Sequence, residues 1–142
     1  MRLISHRGNL VGPSEKENDI EQLRLVSKFM LVETDVWSID GNWFLGHDEP
    51  KTLVSQEFLT NQNFILHTKN LEALNYLTAT KLHYFWHQND DFTLTSKNFI
   101  WTYPHKDVTT NSIIVCQTRQ EVAHYKFTDA WGICTDYVKD TH

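Results

Sequence analysis

Two carboxylates placed two residues apart in an apolar run are the first sign of chemistry in this chain. Glu33 and Asp35 interrupt MLVETDV (30–36), which otherwise reads as a buried strand. Alternation along a strand sends both side chains to one face. Adjacent ionised carboxylates repel, and burying them is costly unless something cationic intervenes. A divalent ion with hard oxygen ligands (magnesium, calcium or manganese) answers that need; an exposed edge strand is the plainer alternative. The same spacing recurs in FILHTK (64–69), where His67 and Lys69 share a face. RLISH (2–6) ends in His6 and runs into Arg7 and Gly8, and NWFLGH (42–47) ends in His47 with Asp48 beside it. In parallel α/β folds, sites assemble at the carboxyl ends of strands. Arg7 offers a planar, permanently charged fork for phosphate oxygens. Imidazoles, carboxylates, a guanidinium and an ammonium together suit phosphoryl chemistry, in which cations stabilise charge on phosphate oxygens and histidines move protons. No P-loop, GxSxG elbow, HExxH or Rossmann glycine pattern competes.

Short runs rich in β-branched and aromatic residues must carry these groups. Besides the four already quoted they are HYFWH (83–87), NFIWTY (98–103), SIIVCQ (112–117) and WGICTD (131–136). Between the first two strands, SEKENDIEQLRLVSKF (14–29) places Ile20, Leu23, Val26 and Phe29 at three-residue intervals, with Leu25 widening the stripe. That spacing predicts a helix, and Ser14 with Glu17 predicts a capping-box start. Further helices are expected over 70–80 and 119–127. Asp40-Gly41 predicts a hairpin. The stretches 88–97 and 104–111 look too short and polar for crossover helices. The expectation is one α/β domain over 1–142, mostly parallel, with helices missing in its second half; no repeat or linker divides it.

A formal charge of −5 argues against a nucleic-acid binder, which needs a basic face. No apolar run approaches the roughly 20 residues of a membrane span, and no signal segment is evident, so a cytoplasmic location is expected. Cys116 and Cys134 sit in apolar runs and read as buried free thiols. Strands HYFWH, NFIWTY and SIIVCQ, lacking covering helices, predict a bare apolar face that a homodimer would cover.

IxHRGN at 4–9, EN at 17–18, ETDVWSIDGNWFLGHD at 33–48 and TDY at 135–137 resemble the glycerophosphodiester phosphodiesterase family, among the phosphatidylinositol-phospholipase-C-like phosphodiesterases. The likeness is strongest over the first third; beyond position 50 it rests on HTK at 67–69 and the final GICTD run. It implies a compact, reduced TIM-type (β/α) barrel and a role in lipid metabolism. It implies His6 and His47 as the acid–base pair, Glu33 and Asp35 as metal ligands, and Arg7 and Lys69 as phosphate contacts. The implied reaction cleaves a small glycerophosphodiester, the substrate's own hydroxyl attacking phosphorus and water later opening a cyclic phosphate. Two departures stand out. His67 replaces the family's third metal-binding glutamate, which favours softer ions such as manganese, zinc or iron. The chain is also far shorter than a barrel of about 250 residues. A phosphodiester-binding module without turnover, or an enzyme acting on phosphodiesters of surface polysaccharides, are the alternatives. At the margin, His83 and His87 share a face, His87 with Asp90 or Asp91 could join the site, and Asp136 ends the last strand. Trp86, Trp101, Tyr103 and Trp131 could line a pocket or seal the core.

Overall fold

The computed structural model of the chain describes residues 1–140. Its strands are β1 (Arg2–His6), β2 (Leu31–Ile39), β3 (Asn42–Leu45), β4 (Thr52–Val54), β5 (Phe64–Thr68), β6 (Tyr84–Trp86), β7 (Phe92–Leu94), β8 (Ile100–Thr102), β9 (Ser112–Cys116) and β10 (Gly132–Thr135). The helices α1 (Ile20–Val26), α2 (Leu71–Leu77) and α3 (Arg119–Tyr125) are short. Each expected strand is present within a residue or three of its sequence bounds. β4 and β7, three residues each, were not expected, because neither stands in a longer apolar run of the kind that marks β6 and β8.

All ten strands belong to one mixed sheet. β1 pairs in parallel with both β2 and β10; β9 and then β8 continue in parallel beyond β10, and β5 and β6 do so beyond β2. β3, β4 and β7 are antiparallel additions. The segment after β7 bonds back toward β6, with Ser96 N–H donating to Tyr84 O at 2.9 Å, so the sheet curls.

A TIM-type barrel with alternating strands and helices is not the architecture. The chain is mostly strand, and β2 to β5, like β6 to β9, follow one another with no α-helix between them. The connections there are too short or too polar to pack a helix on the sheet. The curled mixed sheet corrects the α/β expectation for the whole chain.

Local sequence explains the turns and helix starts. Asp40 and Gly41 both have positive φ, 52° and 81°, the conformation that a two-residue hairpin between right-twisted strands requires. α1 starts five residues later than the capping-box expectation, at Ile20 after Asp19, whose carboxylate accepts from Gln22 N–H. Ser14 and Glu17 are occupied elsewhere: the Ser14 hydroxyl donates to Asn9, and Glu17 accepts from Arg7 and Asn9. Leu23 and Val26 are buried as expected, but Phe29 lies beyond the helix and is exposed. A genuine capping box opens α3, where Thr118 and Glu121 bond reciprocally.

The core divides by face. Val32, Val36, Phe64 and Leu66 pack outward under α1, α2 and the β3–β4 arm with Leu23, Leu45, Leu59 and Leu77. Ile4, Ile65, Phe85, Trp101, Ile113, Val115 and Cys134 form a separate cluster on the opposite face of the strands. Ile114 and Cys116 are covered by Val122 and Tyr125 of α3. Residues 112–116 are all buried, so the expected bare apolar face over β9 does not exist. No helix among the described residues is long and apolar enough to cross a membrane.

Asn70 joins α2 to β2. Its Oδ1 accepts from Ala73 N–H and Ser38 N–H, each at 3.2 Å, and its Nδ2 donates to Ser38 O at 2.8 Å. Asn70→Ala removes a helix cap and a strand contact together, and should lower stability by about 1–2 kcal/mol in urea unfolding. An unchanged midpoint would show that the cap contributes nothing here.

Candidate active site

Glu33 and Asp35 point to the same face of β2 as predicted, and both are buried, at 1% and 0% exposure. Register places Asp35 opposite His67 on β5 and Glu33 opposite His6 on β1. Basic groups from two strand ends, those of β1 and β5, converge on the pair. His67 Nδ1 lies 3.2 Å from Asp35 Oδ1 and 3.6 Å from Glu33 Oε1. Arg7 Nε is 3.1 Å from Asp35 Oδ2, Lys69 Nζ is 4.0 Å from Asp35 Oδ1, and His6 Nε2 is 3.6 Å from Glu33 Oε2. Glu33, Asp35 and His67 offer ligand atoms within 4.8 Å of one another, close enough to share one ion. Despite these contacts, Glu33 Oε2 and Asp35 Oδ1 are buried without an aligned hydrogen-bond donor. Buried carboxylate oxygens in that condition are rare and call for a charge partner.

His67 is held in one orientation. Its Nε2–H donates to the His87 carbonyl at 3.1 Å, which leaves Nδ1 facing the carboxylates. Its ring stacks on Phe85 at 4.7 Å, and Phe85 stacks on Trp101 at 4.4 Å. Outer partners that fix a histidine's tautomer and plane are the usual support of a metal-ligating imidazole. Burial works against charge on His67, but the nearby carboxylates of Asp35 and Glu33 outweigh it and raise its pKa to about 9. Burial likewise pushes Asp35 up, and His67 and Arg7 more than reverse this, holding it far below the usual carboxylate range.

Arg7 reaches its place through strain. It adopts φ 56°, a left-handed conformation uncommon outside glycine, at the point where β1 ends. Its N–H donates to Glu33 O and its carbonyl accepts from Asn18 N–H, which fixes the turn at both sides. Asn18, also left-handed at φ 56°, is the residue that sequence reasoning carried only as part of a motif. Its Nδ2 donates to Asp35 Oδ2 at 3.0 Å, and its Oδ1 accepts from Thr34 Oγ1 and Asp35 N–H. Asn9 is the second such residue: its Nδ2 donates to Glu17 and to Asp136. The signal was an amide at the end of a strand turn, which spacing alone cannot distinguish from a loop residue.

Asp136 does join the site. Its Oδ1 accepts from His6 Nδ1–H at 2.9 Å. Burial disfavours charge on His6, but Asp136 and then Glu33 raise its pKa overall. The other marginal residues do not enter as side chains. His87 contributes its backbone carbonyl, while its imidazole bonds Asp90 O and stacks on Tyr103. Asp91 pairs with Lys106, and His83 bonds Thr95. Trp101 is core, and Trp131 packs on Phe99.

His47 stands apart from the ion-pair network. It is exposed on the rim, with Nδ1 2.8 Å from Asp48 Oδ1. Gly46 places it there: φ is 151°, and a Cβ would lie 2.0 Å from Glu49 O, so no other residue fits the turn. His47 and Lys69 line one cleft, and Lys69 is the cluster residue that reaches it.

No protein-family profile, no curated protein and no solved structure matches the chain.

The raised His67 pKa makes a prediction for the metal-free protein. The folded state binds a proton more tightly than the unfolded one, for which the ordinary value is 6.5. The stabilisation is therefore fully present below pH 6.5 and is lost as pH rises through about 9. Urea unfolding in chelator should show a loss on the order of a few kcal/mol between pH 6 and pH 10, and His67→Ala should flatten that slope. Equal slopes in the two proteins would mean that His67 does not carry the proton.

Proposed function

We propose that this chain is a cytoplasmic, divalent-metal-dependent phosphodiester hydrolase acting on small glycerophosphodiester-like substrates. The observation that carries the reading is the buried Glu33–Asp35–His67 group, in which two carboxylate oxygens lack donors while a neutralising imidazole nitrogen faces them. Glu33, Asp35 and His67 would hold the cation, and two oxygens with one imidazole suit magnesium or manganese. When bound, the ion would stabilise negative charge developing on the phosphate oxygens.

The chain's own groups do the rest. Lys69, partly exposed beside Asp35, supplies a point charge to a phosphate oxygen, and Arg7 adds Nη2, the guanidinium nitrogen that Glu17 and Asp35 leave free. Asp136 fixes Nδ1–H of His6, so that proton exchange runs through Nε2. His47, on the rim, serves the oxygen on the other side of phosphorus. Asn18 and Asn9 move no proton; they keep Asp35 and Asp136 in place.

A second reading has its own support. Arg7, His67 and Lys69 already offset Glu33 and Asp35 from within the protein, as a phosphodiester-binding module without turnover would require. Turnover separates the two. Hydrolysis of bis-p-nitrophenyl phosphate should disappear on chelation and return with manganese or magnesium, and full activity at negligible metal content would remove the hydrolase reading as stated here. Metal binding at pH 7 should also release about one proton, because His67 must shed its own to ligate. Calorimetry in buffers of different ionisation enthalpy reads that number, and buffer-independent heats would exclude His67 as a ligand.

His6→Ala and His47→Ala should each lower kcat by about 10²–10⁴-fold, the usual contribution of a general acid or base. Metal affinity should change far less. Near-normal rates in both variants on a poorly activated diester would show that neither imidazole transfers a proton.

A further inference from the structure

Beside the cluster lies a cleft of about 290 Å³ whose walls include Trp37, His47, Asp48, Lys69, Trp86 and Gln88. Trp37 follows Glu33 and Asp35 on the same face of β2, two residues further on. Its indole N–H donates to Gly46 O at 2.7 Å, which anchors the ring against the loop that carries His47. Trp86 ends β6 and is partly exposed, unlike Trp101, which is sealed in the core. Two indoles beside a candidate phosphate contact are more than a small polyol arm needs.

The chemistry of the walls narrows the occupant. The indole face carries negative π density and attracts flat, C–H-rich surfaces. A quaternary ammonium would share that preference, but it would sit in the same cleft as the Lys69 ammonium and be repelled by it. An acyl chain would run against Asp48, Lys69 and Gln88, polar groups that it cannot bond, and the volume is at the small end of ligand pockets, enough for one ring. A ring with an apolar face and a hydroxylated rim meets every wall: its C–H face lies on indole, and its hydroxyls reach Asp48, Gln88 and His47.

We propose that Trp37 and Trp86 form a sugar-binding subsite, so that one arm of the phosphodiester substrate is a pyranose-like ring. The inference rests on the phosphodiesterase reading of the adjacent cluster, and the test separates the two. Binding of glucose 1-phosphate, glycerol 3-phosphate and phosphocholine is measured by tryptophan fluorescence and NMR titration with magnesium present. The wild-type chain should bind glucose 1-phosphate about tenfold more tightly than glycerol 3-phosphate, the scale expected of two aromatic contacts. Trp86→Ala should abolish that preference and Trp86→Phe should keep most of it. Equal affinity for the first two probes, or tightest binding of phosphocholine, overturns the sugar subsite on the wild-type chain alone, whatever Trp86→Ala does to folding. Bis-p-nitrophenyl phosphate turnover is scored separately. Hydrolysis without a sugar preference sinks only the subsite, whereas a sugar preference without any hydrolysis supports the subsite and sinks the enzyme.

Discussion

Glu33 and Asp35 stand side by side on the buried face of β2, and that placement creates an electrostatic problem which the surrounding structure answers. Desolvating two carboxylates is unfavourable by several kcal/mol unless charge and hydrogen bonds compensate. Compensation comes from four directions: the end of β1 through Arg7, the end of β5 through His67 and Lys69, the turn before α1 through Asn18, and β10 through Asp136 acting on His6. The left-handed conformations of Arg7 and Asn18 follow from this demand. Each costs about 1–3 kcal/mol and persists only because its side chain and backbone are both held.

The aromatic floor answers a different demand. Close contacts among charged side chains depend on geometry held to about half an ångström, and side chains at strand ends are usually free to turn. His67 cannot turn, because Phe85 and Trp101 stack beneath it and a backbone carbonyl holds its far nitrogen. The same cluster fills the space beneath the polar groups. Apolar packing and electrostatic arrangement are therefore one design at this end of the sheet, and a change in either is felt by the other.

Much of this was legible in the sequence, for a definable reason. Period-two placement is a strong signal when charged residues break apolar runs, and it located Glu33, Asp35, His67 and Lys69 on shared faces. Strand-end position located His6 and Arg7 and left Asp136 open. Asn9 and Asn18 were not assigned roles, because an amide's function depends on the turn that aims it, and neither turn has a glycine at the residue concerned. Ser14 and Glu17 fitted a helix start in the sequence yet are drawn into the Arg7 turn, since a buried arginine needs carboxylates more than a short helix needs another turn. The barrel expectation failed for a related cause: a resemblance confined to strand-end motifs says which strands neighbour one another at the site, and nothing about what connects them.

His6 and Asp136 are 130 positions apart, yet they share a hydrogen bond across the pairing of β1 with β10. During synthesis the first strand leaves the ribosome long before its last neighbour exists, at a rate of about 5–20 residues per second. For those seconds β1 has one open edge, and the imidazole of His6 has no carboxylate to orient it. Contacts of such long sequence separation are also the slowest to form in refolding. The orientation of His6 thus waits on β10: Glu33 and Asp35 can meet His67 and Arg7 before the carboxylate that fixes the His6 ring has been made.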